Sequence, residues 1–178
     1  MAQVKLHDKI FRPFISSSEI ASQIKKVALK LNEDFYGEPV LFVGVLNGAF
    51  RFVADLMNDI DLECEVSFVK LASYSGTQSH EKVSKLIGFN ESLEGRNIVV
   101  VEDIVDTGNT LVKIMEELNG LNPKQVKIAT LLYKPDAYKK DIPVDYVGIE
   151  IPNDFIVGYG LDYDGLGRNL NDIYKIVD

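Results

Sequence analysis

NIVVVEDIVDTGNTL, Asn97 to Leu111, reads as strand, acidic tip, turn and helix in a single piece. Ile98, Val99, Val100 and Val101 form an unbroken β-branched run, which suits a strand buried on both faces of a parallel sheet. Glu102 and Asp103 follow, where such a strand is expected to meet solvent. Asp106 then opens a small-residue turn, Thr107-Gly108-Asn109-Thr110. Beyond it Leu111, Ile114, Met115 and Leu118 recur at helical spacing.

The turn suits an anion. N–H groups at a helix N-terminus lack intrahelical partners and sit at the positive end of the helix dipole, which favours phosphate. Gly108 admits a ligand close to the backbone, and Thr107 and Thr110 add hydroxyls. The neighbouring acids suit ribose hydroxyls, Mg²⁺ or a proton, so the expected ligand is a sugar phosphate with a metal. A plainer alternative makes Asp106 an acidic helix cap, with Glu102 and Asp103 merely solvated.

Outward from this segment, strands and helices alternate. Residues 8–15 read as an edge strand interrupted by Pro13. Ser16 to Glu19 match a capping box, and Ile20, Ile24, Val27, Ala28 and Leu31 form the apolar stripe of a helix ended by Gly37 and Pro39. Val40–Leu46 is a strand, then a helix runs to about Met57, and Glu63–Leu71 is the next strand. Ala72–Lys85 is polar and without period, either a plain connection or a functional loop. Val126–Tyr133, Val144–Ile151 and Phe155–Tyr159 are strands, and the tail closes on a short one. The alternation predicts an α/β fold with a mainly parallel sheet flanked by helices, over one domain spanning 1–178. Ligands in such folds bind beyond the carboxyl ends of the strands, here at Leu46–Gly48, Ser73–Lys85, Glu102–Thr110 and Lys134–Asp136.

Composition narrows the classes. A chain of 178 residues can bury about 70% of its unfolded surface. Its net charge of −8 disfavours nucleic acid as a partner, since phosphate-tracking surfaces need clustered cations. The single cysteine, Cys64, excludes an internal disulfide and fits a reducing cytoplasm; its apolar setting reads as core. The amino terminus carries no leader pattern, and no stretch reaches membrane-spanning length. No G-x-x-x-x-G-K-[ST] occurs, which excludes a P-loop hydrolase. His7 and His80 are too isolated for a metal site.

VVVEDIVDTGNT resembles the signature with which type I phosphoribosyltransferases bind phosphoribosyl pyrophosphate (PRPP). The downstream run from Lys134 through VGIEIPNDFIVGYGLDY to Arg168 is similar to the hypoxanthine-guanine branch, and the likeness spans Phe11 to Val177. It implies that fold, with a small hood formed by the N- and C-terminal segments. It also implies purine salvage: Mg²⁺-dependent transfer of the phosphoribosyl group from PRPP to hypoxanthine, and to guanine, giving IMP or GMP and pyrophosphate.

Carried over by position, the resemblance gives Glu102 and Asp103 the ribose hydroxyls and, through them, Mg²⁺. Asp106, Thr107, Gly108, Asn109 and Thr110 hold the 5′-phosphate, and Asp106 doubles as general base. Leu46, Asn47, Gly48 and Arg168 meet pyrophosphate. Lys134 donates to the six-oxo group, Phe155 stacks on the purine, and Ile156 offers its carbonyl to the base edge. Asp162 serves the purine side and a second Mg²⁺. Ser73 and Tyr74 match a lid pair that closes over the transition state. Relatives form homodimers or homotetramers. Many carry Lys where this chain has Asn47, and there the peptide after Leu46 can be cis; backbone N–H groups of Asn47 and Gly48 are expected to keep the pyrophosphate contact.

Without the resemblance, Phe155 and Ile156 read as core strand residues, Lys134 as a solvated charge, and Arg168 as a partner for Asp172 at i+4. Two other functions stand beside the main one. The first is a PRPP-binding regulator of the same fold without catalysis, disfavoured by the intact Asp106. The second is transfer to another base, and the residues leave hypoxanthine, guanine and xanthine open. Lys134 disfavours adenine, whose six-amino group is itself a donor.

Overall fold

A computed structural model describes residues 2–71, 85–88 and 92–177 of the chain. In order, the elements are β1 (Val4–Leu6), β2 (Lys9–Ile15), α1 (Ser17–Asp34), β3 (Val40–Val45), α2 (Phe50–Met57), β4 (Cys64–Leu71) and β5 (Lys85–Ile87). They continue with β6 (Asn97–Val105), α3 (Asn109–Asn119), β7 (Gln125–Tyr133), β8 (Tyr146–Glu150), β9 (Ile156–Val157) and β10 (Ile173–Ile176). Ser16 caps α1, its hydroxyl accepting the Glu19 N–H at 3.2 Å.

The central sheet runs β5-β4-β3-β6-β7-β8. β4, β3, β6, β7 and β8 are mutually parallel, and β5 adds antiparallel to β4 at the edge. Period-two alternation divides each buried strand between two cores. Val40, Phe42, Val99 and Val101 face α1 and α2, while Leu41, Val43, Ile98 and Val100 face Leu111, Ile114 and Leu118 of α3. A strand covered on both faces must be apolar throughout, which is why Ile98–Val101 carries no alternation.

The two chain ends form a second, antiparallel sheet, ordered β1-β2-β10-β9. This is the expected hood. β2 is interior to it rather than an edge strand. β1 reaches only Lys9–Phe11, so Pro13, with no N–H to give, lies where one side of β2 is unpaired. Cys64 also departs from expectation. It starts β4 and is exposed, and what burial it has pushes its thiol up, away from nucleophilic character.

Strand order reverses at β3: β4 lies on one side of it and β6 on the other. Loops leaving the carboxyl ends of β3 and β6 therefore diverge, and a crevice opens between them.

Candidate active site

That crevice holds about 450 Å³ and is lined by Leu46, Gly48, residues 102–111, Asp162 and Arg168. The fold thus brings together the acids, the glycine-bearing turn and two residues of the hood segment. Asn47 is exposed and does not line the cleft; Lys134, Phe155 and Ile156 lie outside its walls. Ser73 and Tyr74 fall outside the described residues.

The strand that carries the acids is longer than the sequence suggests. β6 continues through Glu102 and Asp103 to Val105, pairing Glu102 with Thr130 and Val105 with Tyr133 of β7. Glu102 is consequently buried, only 4% exposed, rather than solvated at a strand tip. Burial and the neighbouring Asp103 carboxylate hold its pKa well above the ordinary range. Asp103 is pushed up to about 6, again by burial first, with the Ile104 N–H at 2.9 Å and the charge of Arg168 opposing. The site's floor is therefore a pair of proton-hungry carboxyls waiting for positive charge.

Gly48 explains how the loop after β3 reaches this floor. A Cβ there would overlap the Asp103 carboxylate, so only glycine lets the two surfaces meet. The preceding Leu46–Asn47 peptide is cis. The Gly48 carbonyl in turn lies against Gly160, whose own missing Cβ makes room for it.

Across the cleft, α3 is capped by Gly108 in the left-handed conformation, φ +80°, with no side-chain cap. Asp106 is thus not a helix cap. Its carboxylate instead accepts from the Lys134 ammonium at 2.8 Å. The two partners differ sharply: the Asp106 side chain is 42% exposed, whereas Lys134 is 8% exposed, with the Asn153 amide oxygen at 3.4 Å. Tyr138 backs the turn, its ring filling the space a Cβ on Gly108 would need. Its hydroxyl is held by the Ile142 carbonyl at 2.5 Å. Tyr138 and Asn153 were not identifiable from sequence, since neither belongs to a periodic or charged pattern.

On the hood side Arg168 pairs with Asp162 at 2.5 Å and donates to the Gly160 carbonyl at 2.7 Å. Its partner is not Asp172, which accepts from the Ser17 N–H at 2.7 Å. The other Asp162 oxygen accepts the Gly165 N–H at 2.7 Å. Phe155 lies outside any strand and is 47% exposed, its ring edge-on to Tyr163 at 5.8 Å and near Phe11 at 6.2 Å. The Ile176 N–H donates to the Phe155 carbonyl, making Phe155 and Ile176 a bonded pair. Pairs alternate along an antiparallel ladder, so the Ile156 carbonyl points to the open side of edge strand β9.

Among the described residues no three His, Cys, Asp or Glu side chains form a ready cage for a metal ion. Mg²⁺ does not require one. It is commonly bound by one or two carboxylates, waters and substrate phosphates. Glu102, buried, and Asp103, half-buried beside it, are in want of a counter-charge and fit that partial set. Asp162 could join it only by loosening its present hydrogen bonds.

Residues 16–164 match the model of the phosphoribosyl transferase domain family. The chain is 37% identical to the hypoxanthine-guanine phosphoribosyltransferase of Staphylococcus aureus, over 93% of each chain. It is 40% identical to the bifunctional protein TilS/HprT of Listeria monocytogenes over 93% of its own length, but spans only 26% of that relative. The crystal structure of a hypoxanthine-guanine phosphoribosyltransferase from Bacillus anthracis superimposes with a TM-score of 0.87 at 37% identity, covering 96% of this chain and 99% of the other. The parallel sheet, its flanking helices and the hood are the type I architecture, and the chain belongs to the phosphoribosyltransferase family.

Proposed function

We infer that the protein is a purine-salvage enzyme that transfers the 5-phosphoribosyl group from PRPP to hypoxanthine, with guanine as a further base. The products are IMP or GMP and pyrophosphate. The observation that carries this reading is the ion pair between Asp106 and Lys134 beside an anion-binding turn. It joins a proton acceptor and a donor for a six-oxo group at the mouth of a cleft suited to phosphate.

PRPP lies with its 5′-phosphate on the N–H groups and hydroxyls of residues 106–110 and its ribose hydroxyls toward Glu102 and Asp103. Glu102 and Asp103 would hold Mg²⁺, which when bound would supply charge to steady the pyrophosphate leaving group. Arg168 meets the same group from the hood side. The purine takes the Lys134 ammonium on its six-oxo oxygen, which frees the Asp106 carboxylate. An imidazole nitrogen of the base bonds to C1′ as the C1′–O bond to pyrophosphate breaks, the electron pair leaving with pyrophosphate. The imidazole proton passes to Asp106. Phe155, exposed, covers a face of the purine, and the Ile156 carbonyl accepts from its edge. Ser73 and Tyr74 belong to the same proposal as its lid pair.

Steady-state assays with PRPP, Mg²⁺ and each purine base in turn test this. Turnover with hypoxanthine and guanine is expected. PRPP binding with no nucleotide formed from any base would make the chain a non-catalytic PRPP binder, and turnover led by xanthine would reassign the base. Dependence on Mg²⁺ is read by titrating the metal in the same assay. A homodimer or homotetramer is the accompanying expectation, read by analytical ultracentrifugation.

A further inference from the structure

We propose that Arg51, Asp55 and Tyr159 form a clamp that positions Arg168 against the loop Leu46–Gly48. They are positioning residues for the pyrophosphate half of PRPP. The inference rests on reading the cleft as a PRPP site.

The two halves of that subsite come from different sheets. Leu46–Gly48 follows β3 of the central sheet, and Arg168 lies between the hood strands β9 and β10. Something must fix their separation, and α2, which starts at Phe50, carries the means. The Arg51 guanidinium lies 4.6 Å from the centroid of the Tyr159 ring. Its fork donates to the Leu170 carbonyl at 2.7 Å and to the Asn171 amide oxygen at 3.1 Å. One turn along α2, Asp55 accepts the Tyr159 hydroxyl proton.

Tyr159 is 4% exposed and holds a left-handed backbone, φ +50°, which a non-glycine residue adopts only when its surroundings enforce it. That conformation turns the chain into Gly160. There the N–H donates to the Arg168 carbonyl, the carbonyl accepts from Arg168, and the α-carbon rests on the Gly48 carbonyl. The Tyr159 N–H also binds the Leu170 carbonyl at 2.9 Å, so both flanks of the Asp162–Arg168 loop are tied to α2. None of the three clamp side chains lines the cleft. Their effect on substrate must pass through the residues they hold.

The test compares Arg51→Ala, Asp55→Asn and Tyr159→Phe with the wild-type enzyme, with folding checked by melting temperature. A shift of a binding group by about an ångström costs up to roughly 100-fold. Arg51→Ala is therefore expected to raise the PRPP KM and weaken pyrophosphate inhibition by about 10-fold or more, with the hypoxanthine KM little changed. Tyr159→Phe, which keeps the ring under the guanidinium, and Asp55→Asn are expected to do the same to a smaller degree. In an Arg168→Ala background Arg51→Ala should have almost no further effect on PRPP, because the group it positions is gone. Equal losses toward PRPP and purine, or full additivity with Arg168→Ala, would overturn the clamp. A wild-type protein that binds no PRPP would instead overturn the reading of the cleft itself.

Discussion

One side of the cleft comes from a single run of chain: residues 102–110 are the end of β6, its turn and the first residues of α3. The facing side draws Leu46 and Gly48 from the loop after β3, and Asp162 and Arg168 from the segment between β9 and β10. Lys134 arrives from the end of β7 to touch Asp106. Local backbone geometry, backed by β7 and the Tyr138 ring, fixes the first side, because neighbours in sequence carry every group. Contacts between distant segments hold the second, notably Gly48 on Asp103 and Gly160 on Gly48. Substitutions on the first side should therefore alter chemistry, and those on the second should alter placement.

The largest expected effect lies on the contiguous side. Asp106→Asn keeps the size of the side chain but cannot accept the imidazole proton, so kcat for IMP formation is expected to fall at least ~10²-fold. PRPP affinity, measured by calorimetry, should change little, since the N–H groups of the turn remain. Near-normal turnover would remove Asp106 from the base role. Gly48→Ala probes the assembled side. The new methyl group must displace either the loop or the Asp103 carboxylate, and kcat/KM for PRPP is expected to drop by about 10- to 100-fold. Gly37→Ala is its control: φ is +75° there but the space is open, so it should cost about 1–2 kcal/mol of stability and leave activity intact.

Lys134→Met joins the two sides, since it removes the partner of Asp106 and the donor proposed for the six-oxo group. A hydrogen bond to a charged group is worth about 1.5–3 kcal/mol, so the hypoxanthine KM should rise about 10-fold or more. PRPP affinity should hold. If it fell equally, Lys134 would belong to the phosphate side and the division between the two sides would fail.

The contrast also marks what was legible in the sequence. The parallel sheet, its helices and the turn at 106–110 follow from local patterns: a β-branched run, a small-residue turn, apolar residues at helical spacing. Two errors there concern length and exposure. Nothing in VVVED marks where pairing with β7 stops, so burial of Glu102 needed the neighbouring strand. Cys64 opens a largely apolar strand but lies between Glu63 and Glu65, and its position at the start of β4 leaves it exposed. The assembled side was legible only through resemblance. Spacing alone offered Asp172 to Arg168, whereas the left-handed turns at Tyr159 and Gly160 deliver Asp162. No local rule distinguishes those two carboxylates.

The smallest effect concerns the buried acids. Asp103 and Glu102 both bind protons more tightly in the folded chain than an unfolded carboxylate does. Their protonation therefore favours the fold. That contribution is complete below the ordinary carboxylate range near pH 4 and is lost as pH rises through about 6 for Asp103, with Glu102, also raised by burial, acting in the same direction. Asp103→Asn removes one titration while its amide oxygen can still accept the Ile104 N–H. The variant should thus gain stability relative to wild type between about pH 4 and 7, with a slope of at most ~1.4 kcal/mol per pH unit for the one proton. Urea unfolding of the metal-free proteins across that range reads the difference directly, and the self-repulsion of a chain of charge −8 cancels to first order in the comparison. Adding Mg²⁺ with PRPP at pH 7.5 should stabilise wild type more than the variant, because only wild type presents both carboxylates to the added charge. The slope should also survive Arg51→Ala, since burial of the carboxyl raises its pKa and the charge of Arg168 only opposes that rise. A slope that reached to markedly higher pH in Arg51→Ala would mean that the hood, through Arg168, sets the charge state of the floor.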